Sequence, residues 1–174
     1  MKNKSSTSKT LLAVLGVIAV VIIAIVVWGI STSNNLMTLR EDVRMQQSQV
    51  ETTLQRRSDL IPNLVNTVKG YATHEEEVFT EIADARSKLA GSIESGDIDS
   101  ISESNNELDS ALSRLLAITE SYPDLKASEQ FTSLQDELAG TENRINVARQ
   151  YYNEKVMTYN TSVQRFPTSI IAVS

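Results

Sequence analysis

The sequence predicts an all-α protein in which an N-terminal transmembrane helix is followed by an antiparallel four-helix bundle. Three observations lead there. Residues 11 to 30 are twenty consecutive apolar residues. The rest of the chain carries apolar positions at heptad spacing. The 174 residues include only three Pro and six Gly, which is too few for the turns of a β fold. A chain of this length holds one anchor and one core. The organisation read from it is a basic N-terminal tail over 1–10, the transmembrane helix over 11–30, the bundle over 31–167 and an apolar C-terminal tail over 168–174.

The run LLAVLGVIAVVIIAIVVWGI covers the ~30 Å hydrocarbon layer at ~1.5 Å rise per residue. A cleaved signal peptide is the competing reading, because Lys2, Lys4 and Lys9 form a basic flank and Gly29-Ile30-Ser31 is a small-x-small triplet. The apolar core of a signal peptide usually runs about 7 to 15 residues. This one is longer, and a spanning helix is the preferred reading. Trp28 stands near one end, where an indole suits the headgroup zone. Three lysines precede the span, whereas Arg40 and Arg44 follow it beside Glu41 and Asp42. Basic residues favour the cytoplasmic side. The expected location is the cell membrane, single-pass, with the N-terminus cytoplasmic and the domain extracytoplasmic; a cytoplasmic domain is the alternative.

The first heptad stripe runs Leu36, Val43, Val50, Arg57, Leu64, Tyr71, Val78 and Ala85, with a partner series at Arg40, Gln47, Leu54, Ile61, Val68, Glu75, Ile82 and Leu89. A 3.5-residue spacing keeps one stripe on one side of a helix. Pro62 removes a backbone hydrogen bond and predicts a kink near Ser58 or Asp59. A break is expected over 69–76, with Lys69 closing a helix, Gly70 in the left-handed position and Thr73 with Glu76 as a capping box. A second stripe follows at Ile101, Asn105, Leu108, Leu112, Leu115, Thr119 and Tyr122, stopped by Pro123. A third runs from Phe131 through Leu134, Leu138, Thr141, Ile145, Ala148, Tyr152, Lys155, Tyr159 and Ser162 to Phe166, with Ser128 as its N-cap. The segment 91–97 reads as a loop. The predicted helices are 33–69, 74–90, 98–121 and 128–165. If the first stripe instead runs unbroken from Leu36 to Leu89, the domain has three helices, the first long and kinked at Pro62.

These residues carry a resemblance. Gln55-Arg56-Arg57-Ser58-Asp59-Leu60-Ile61-Pro62-Asn63-Leu64-Val65, Thr67-Val68-Lys69-Gly70-Tyr71-Ala72, His74-Glu75 and Ala85-Arg86 resemble the LemA family. So do Tyr122-Pro123-Asp124-Leu125-Lys126-Ala127, Thr141-Glu142-Asn143-Arg144-Ile145, Ala148-Arg149, Tyr152-Asn153, Tyr159-Asn160 and Phe166-Pro167. The chain departs from the pattern at Asn34-Asn35, where the family has Tyr-Asn, and at Gln47, where it has Trp. The resemblance implies a bacterial single-span membrane protein with a four-helix bundle, whose relatives include proteins of magnetosome membranes. It implies no particular biochemical activity.

No Asp or Glu occurs in residues 1–30; removing Lys2, Lys4 and Lys9 from the 16 basic residues leaves 13 against 22 acidic ones, a formal −9. Such a domain repels phosphate backbones and anionic lipid surfaces, so nucleic acid is not an expected partner. Without Cys there is neither thiolate catalysis nor a Cys-ligated metal. His74, the one histidine, begins a Glu-rich helix start, and no Glu lies three residues before it, as the Glu-x-x-His unit of a di-metal bundle requires. Neither Gly-x-Ser-x-Gly nor a phosphate-cradling glycine pattern occurs. The reading is no enzyme, no cofactor, no metal and no catalytic residue.

The unusual stretch is Arg56, Arg57, Asp59, Pro62 and Asn63. Arg57 falls on the apolar stripe, and a buried guanidinium must be paired. Glu142, Asp59 and the hydroxyls of Tyr152 or Tyr159 are the candidate partners. The site reads either as an internal polar clamp beside the proline or as a partner-binding groove. The function expected is a non-catalytic interaction or scaffold module of the bacterial envelope, in contact with the lipid bilayer through residues 11–30 and with other envelope proteins. The alternative is a ligand or stress sensor with a polar pocket near Arg57 and Pro62. Self-association stays open.

Overall fold

The apolar run and the first heptad stretch fold as one helix. In the computed structural model, which describes the backbone of residues 4–172 and the side chains of residues 11–172, helix α1 is Lys4–Lys69. It passes through Ile30 and Ser31 without a break, so the helix expected to begin at residue 33 is a continuation. The side chains of the basic tail and residues 173 and 174 lie outside what is described. Then follow α2 (Glu76–Ser95), α3 (Ile98–Thr119), the short α4 (Pro123–Lys126), α5 (Glu129–Gln164) and the short α6 (Thr168–Ala172). Among the described residues there is no strand. The fold is all-α, and α1 contains one apolar stretch long enough to cross a membrane, none of it buried. By internal contacts the chain divides into Met1–Met45 with Asn153–Ser174, and Gln46–Tyr152.

The second unit holds the core. It takes Val50, Leu54, Ile61, Leu64 and Val68 from α1, Phe79, Ile82, Ala85 and Leu89 from α2, Ile101, Leu108 and Leu115 from α3, Leu125 from α4, and Phe131, Ile145 and Ala148 from α5. Apolar burial on this scale is the main stabilising term in such a domain. Polar contacts give the direction of neighbours. Gln47 Nε2 donates to the Gly96 carbonyl at 2.8 Å, while Lys69 lies 5.0 Å from the centroid of the Phe79 ring. The start of this part of α1 therefore meets the end of α2, and its end meets the start of α2. Lys88 pairs with Glu107 and Arg114 with Glu81, so α2 and α3 are likewise antiparallel.

The turn near residue 70 is real, but its chemistry differs from the expected motif. Gly70 is not in the left-handed region; Gly96 is the glycine with positive φ among the described residues. The last turn of α1 instead closes on one acceptor, the Val68 carbonyl, which takes the N–H of both Tyr71 and Ala72 at 3.0 and 2.9 Å. The Thr73/Glu76 capping box does not form, because the N-cap of α2 is Glu75, with no side-chain cap bond. The helix stops at Lys69, and the heptad positions nearest the break lose the core, with Tyr71 exposed, Val78 half-buried and Ala72 and Phe79 buried in their place, whereas Ile82, Ala85 and Leu89 further along α2 are buried as the spacing predicts. The unbroken first helix of the three-helix alternative is thereby corrected. So is the loop at 91–97, because α2 continues to Ser95. Gly96 then ends it at φ 68°, a conformation that costs glycine little.

Asp97 N-caps α3, with its carboxylate accepting from the Ser100 amide and hydroxyl. Those hydrogen bonds hold its pKa below the ordinary aspartate value. A depressed folded-state pKa adds stability above the unfolded-state value, and that stability is lost as pH falls through the folded-state value. Asp97→Asn is therefore expected to flatten the acid limb of the stability curve below about pH 4. Thermal melts of both proteins across that range check this, and parallel acid limbs would refute it.

Candidate functional site

Two adjacent residues of α1, Arg57 and Ser58, are both buried, at 7% and 2% exposure. The heptad places Arg57 on the inner face, and the low-dielectric surroundings then demand partners for its charge. Its Nη1 donates to Asn105 Oδ1 at 3.2 Å. Its Nη2 lies 2.5 Å from Asp109 Oδ1, and Nη1 lies 2.9 Å from Glu142 Oε2. Asn105 Nδ2 in turn donates to Asp109 Oδ2 at 3.0 Å, closing a network across α1 and α3. The Glu142 contact is at ion-pair distance but lacks hydrogen-bond geometry, and Arg57 Nε has no hydrogen-bond partner among the described residues. Glu142 meets Arg57 by charge, while its other oxygen, Oε1, accepts from Asn146 Nδ2 at 3.4 Å.

Of the partners read from the sequence, Glu142 is in contact and Asp59 is not. Asp59 is exposed and accepts from Gln55 one turn earlier on its own helix. Neither tyrosine hydroxyl is bonded to Arg57 among the described residues. Arg56 and Asn63 are exposed and lie off the network. Asp109 is the residue that sequence reasoning missed: it sits one turn after Asn105, a polar residue on a mostly apolar stripe, and that pairing was the available signal.

Ser58 has a different problem. Pro62 has no N–H, so the Ser58 carbonyl four residues earlier lacks its helical donor. Arg86 on α2 supplies one, with Nε donating at 3.1 Å. The proline thus creates an acceptor on α1 that only another helix can satisfy. Arg57 ties α1 to α3 and α5, and Ser58 ties it to α2.

Beside Arg57 lies an open groove of about 520 Å³ between α1, α3 and α5. Leu64, Leu112, Leu116 and Leu138 are its apolar lining, and Arg57, Asp109, Asp136 and Glu142 its charged lining. Leu116 is 38% exposed there. His74 is exposed at the turn before α2. No group of three or more acidic or histidine side chains poised for a metal occurs among the described residues.

Two outcomes are expected. Arg86→Met in the parent should cost about 1–3 kcal/mol, the penalty of a buried carbonyl left unpaired. In a Pro62→Ala background, which restores the missing donor, the same change should cost clearly less; additive losses in the double-mutant cycle would refute the link. Arg57→Ala should cost about 2–4 kcal/mol, rather less than for a fully buried pair because Asp109 and Glu142 can rehydrate. Arg57→Met should cost less than Arg57→Ala because it keeps the packing. Unchanged urea midpoints for both would show that the network carries no stability.

The LemA family model matches residues 46–174. The chain is 26% identical over 162 residues to magnetosome protein MamQ 2 of Paramagnetospirillum magneticum, covering 80% of this chain and 60% of that one. It is 26% identical over 163 residues to magnetosome protein MamQ of Magnetospirillum gryphiswaldense, with the same coverage. Against Protein LemA of Metamycoplasma hominis it is 27% identical over 145 residues, covering 82% of this chain and 64% of the relative. The chain thus spans less than two thirds of the length of these relatives. With the family match covering more than half of its residues, the chain belongs to the LemA family.

Proposed function

We propose that this chain is a single-span membrane protein that displays a non-catalytic antiparallel four-helix bundle, residues 31–167, as a scaffold or interaction module of the bacterial envelope. The observation that carries the reading is α1, which bears both a fully exposed apolar stretch and, further along, the core positions Val50 to Val68. A chain that commits one helix to lipid and core alike is built to present a domain at a membrane. The buried polar groups support it, because Arg57, Asn105 and Asp109 are engaged in holding helices together and leave no acid, base and nucleophile set converging on a cleft. Relatives named as magnetosome proteins support a part in an assembly.

The lysines before the span favour a cytoplasmic N-terminus and a bundle on the outer side. Envelope proteins would then meet the bundle at the groove beside Arg57, whose apolar wall is accessible. That groove also supports the second reading, a ligand or stress sensor, in which a small molecule with an apolar body occupies it.

A membrane-impermeant amine crosslinker applied to intact spheroplasts, followed by mass spectrometry, tests these readings together. The expected result is crosslinks from Lys69, Lys88 or Lys126 to other envelope proteins. Labelling that appears only after lysis would place the bundle in the cytoplasm. A monomer free of protein crosslinks that carries a copurified small molecule in native mass spectrometry would replace the scaffold with the sensor.

A further inference from the structure

We propose that the segment from Arg165 to Ala172 is a second membrane contact, with Phe166 and Ile170 seated in the interfacial zone of the leaflet from which α1 emerges. The proposal rests on the reading of residues 11–30 as a span. It concerns only the unit formed by residues 1–45 and 153–174.

In this unit Lys155 of α5 pairs with Asp42 of α1 at 3.1 Å. Both residues lie within three positions of where their helices enter the unit. From this pair the rest of α5 and the rest of α1 within the unit therefore extend in the same direction, side by side. The half-covered residues agree: Val43, Leu39, Leu36 and Thr32 lead one way on α1, while Val156, Tyr159 and Val163 lead the same way on α5. Counting at the helical rise, Phe166 lies about 16 Å beyond Lys155, and Ser31 lies about 16 Å from Asp42. Phe166 is level with the end of the apolar run, where Trp28 and Ile30 meet the headgroups.

Exposure and charge then agree on the occupant. Phe166 is 82% exposed and Ile170 66% exposed. Leaving two large apolar side chains in water is costly, and the bilayer surface at that level would remove them from it. All 22 Asp and Glu residues fall between residues 41 and 154, so neither residues 1–40 nor residues 155–174 contain an acidic side chain. An acidic protein has cleared its acidic side chains from the part of the chain that faces the membrane, while Arg165 remains beside Phe166. That is the charge pattern an anionic lipid surface selects.

Trp28 is the one native tryptophan, so two single-tryptophan proteins suffice. The native chain reports the span, and a Trp28→Phe, Phe166→Trp chain reports the segment after α5. Ile170→Trp in the same Trp28→Phe background is a second reporter. Each is reconstituted in phosphatidylcholine and phosphatidylglycerol vesicles whose acyl chains carry bromine either near the headgroup or near the midplane. The proposal expects blue-shifted emission from the indole at position 166 or 170, quenched more by shallow than by deep bromines. Red-shifted, unquenched emission there, with Trp28 still quenched, overturns the proposal and leaves the span intact. Blue-shifted but unquenched emission assigns the segment to a protein contact and overturns it as well. An unquenched Trp28 removes the span, and the proposal with it.

Discussion

A guanidinium and a carbonyl, one residue apart on α1, are the polar demands around which the second unit is arranged. Arg57 brings a charge into an apolar interior, and Ser58 brings an acceptor that Pro62 has deprived of its helical donor. Each must be met by another helix. The guanidinium is met by Asn105 and Asp109 on α3 and by Glu142 on α5, and the carbonyl by Arg86 on α2. Hydrophobic burial alone is permissive, since a core keeps most of its stability under many apolar repackings and loses uniqueness first. Directed polar contacts do not, because a slip of one turn leaves a buried group unpaired.

The same network bears on function. Its charged residues are engaged with one another across three helices, and this is the behaviour of groups that hold shape. What remains available is surface: the leucine-walled groove between α1, α3 and α5, and the exposed apolar residues of the other unit. Both suit association with a partner or a bilayer. The distribution of charge along the chain divides in the same way, with acidic side chains confined to residues 41–154 and the side chains of the flanks basic or neutral.

The sequence by itself determined that the chain is helical, that residues 11–30 form an apolar helix, and which faces of the remaining helices turn inward. Periodicity is a local property, and Val50, Leu54, Ile61 and Leu64 or Ile101, Leu108 and Leu115 could be read from spacing alone. Arg57 was legible for the same reason, as a charge on an apolar stripe, and Glu142 among its candidate partners. Tertiary structure decided the rest. That Asp109 and not Asp59 meets Arg57 depends on which helix lies opposite, a matter of long-range packing that no spacing encodes. The Arg86 contact depends on α2 passing Ser58 at the level where Pro62 leaves a carbonyl open. The capping motif near Gly70 was well formed on paper, yet the end of α1 closes on the Val68 carbonyl instead. Local cap preferences are worth about 1 kcal/mol, and the burial of Ala72 and Phe79 against the core outweighs them.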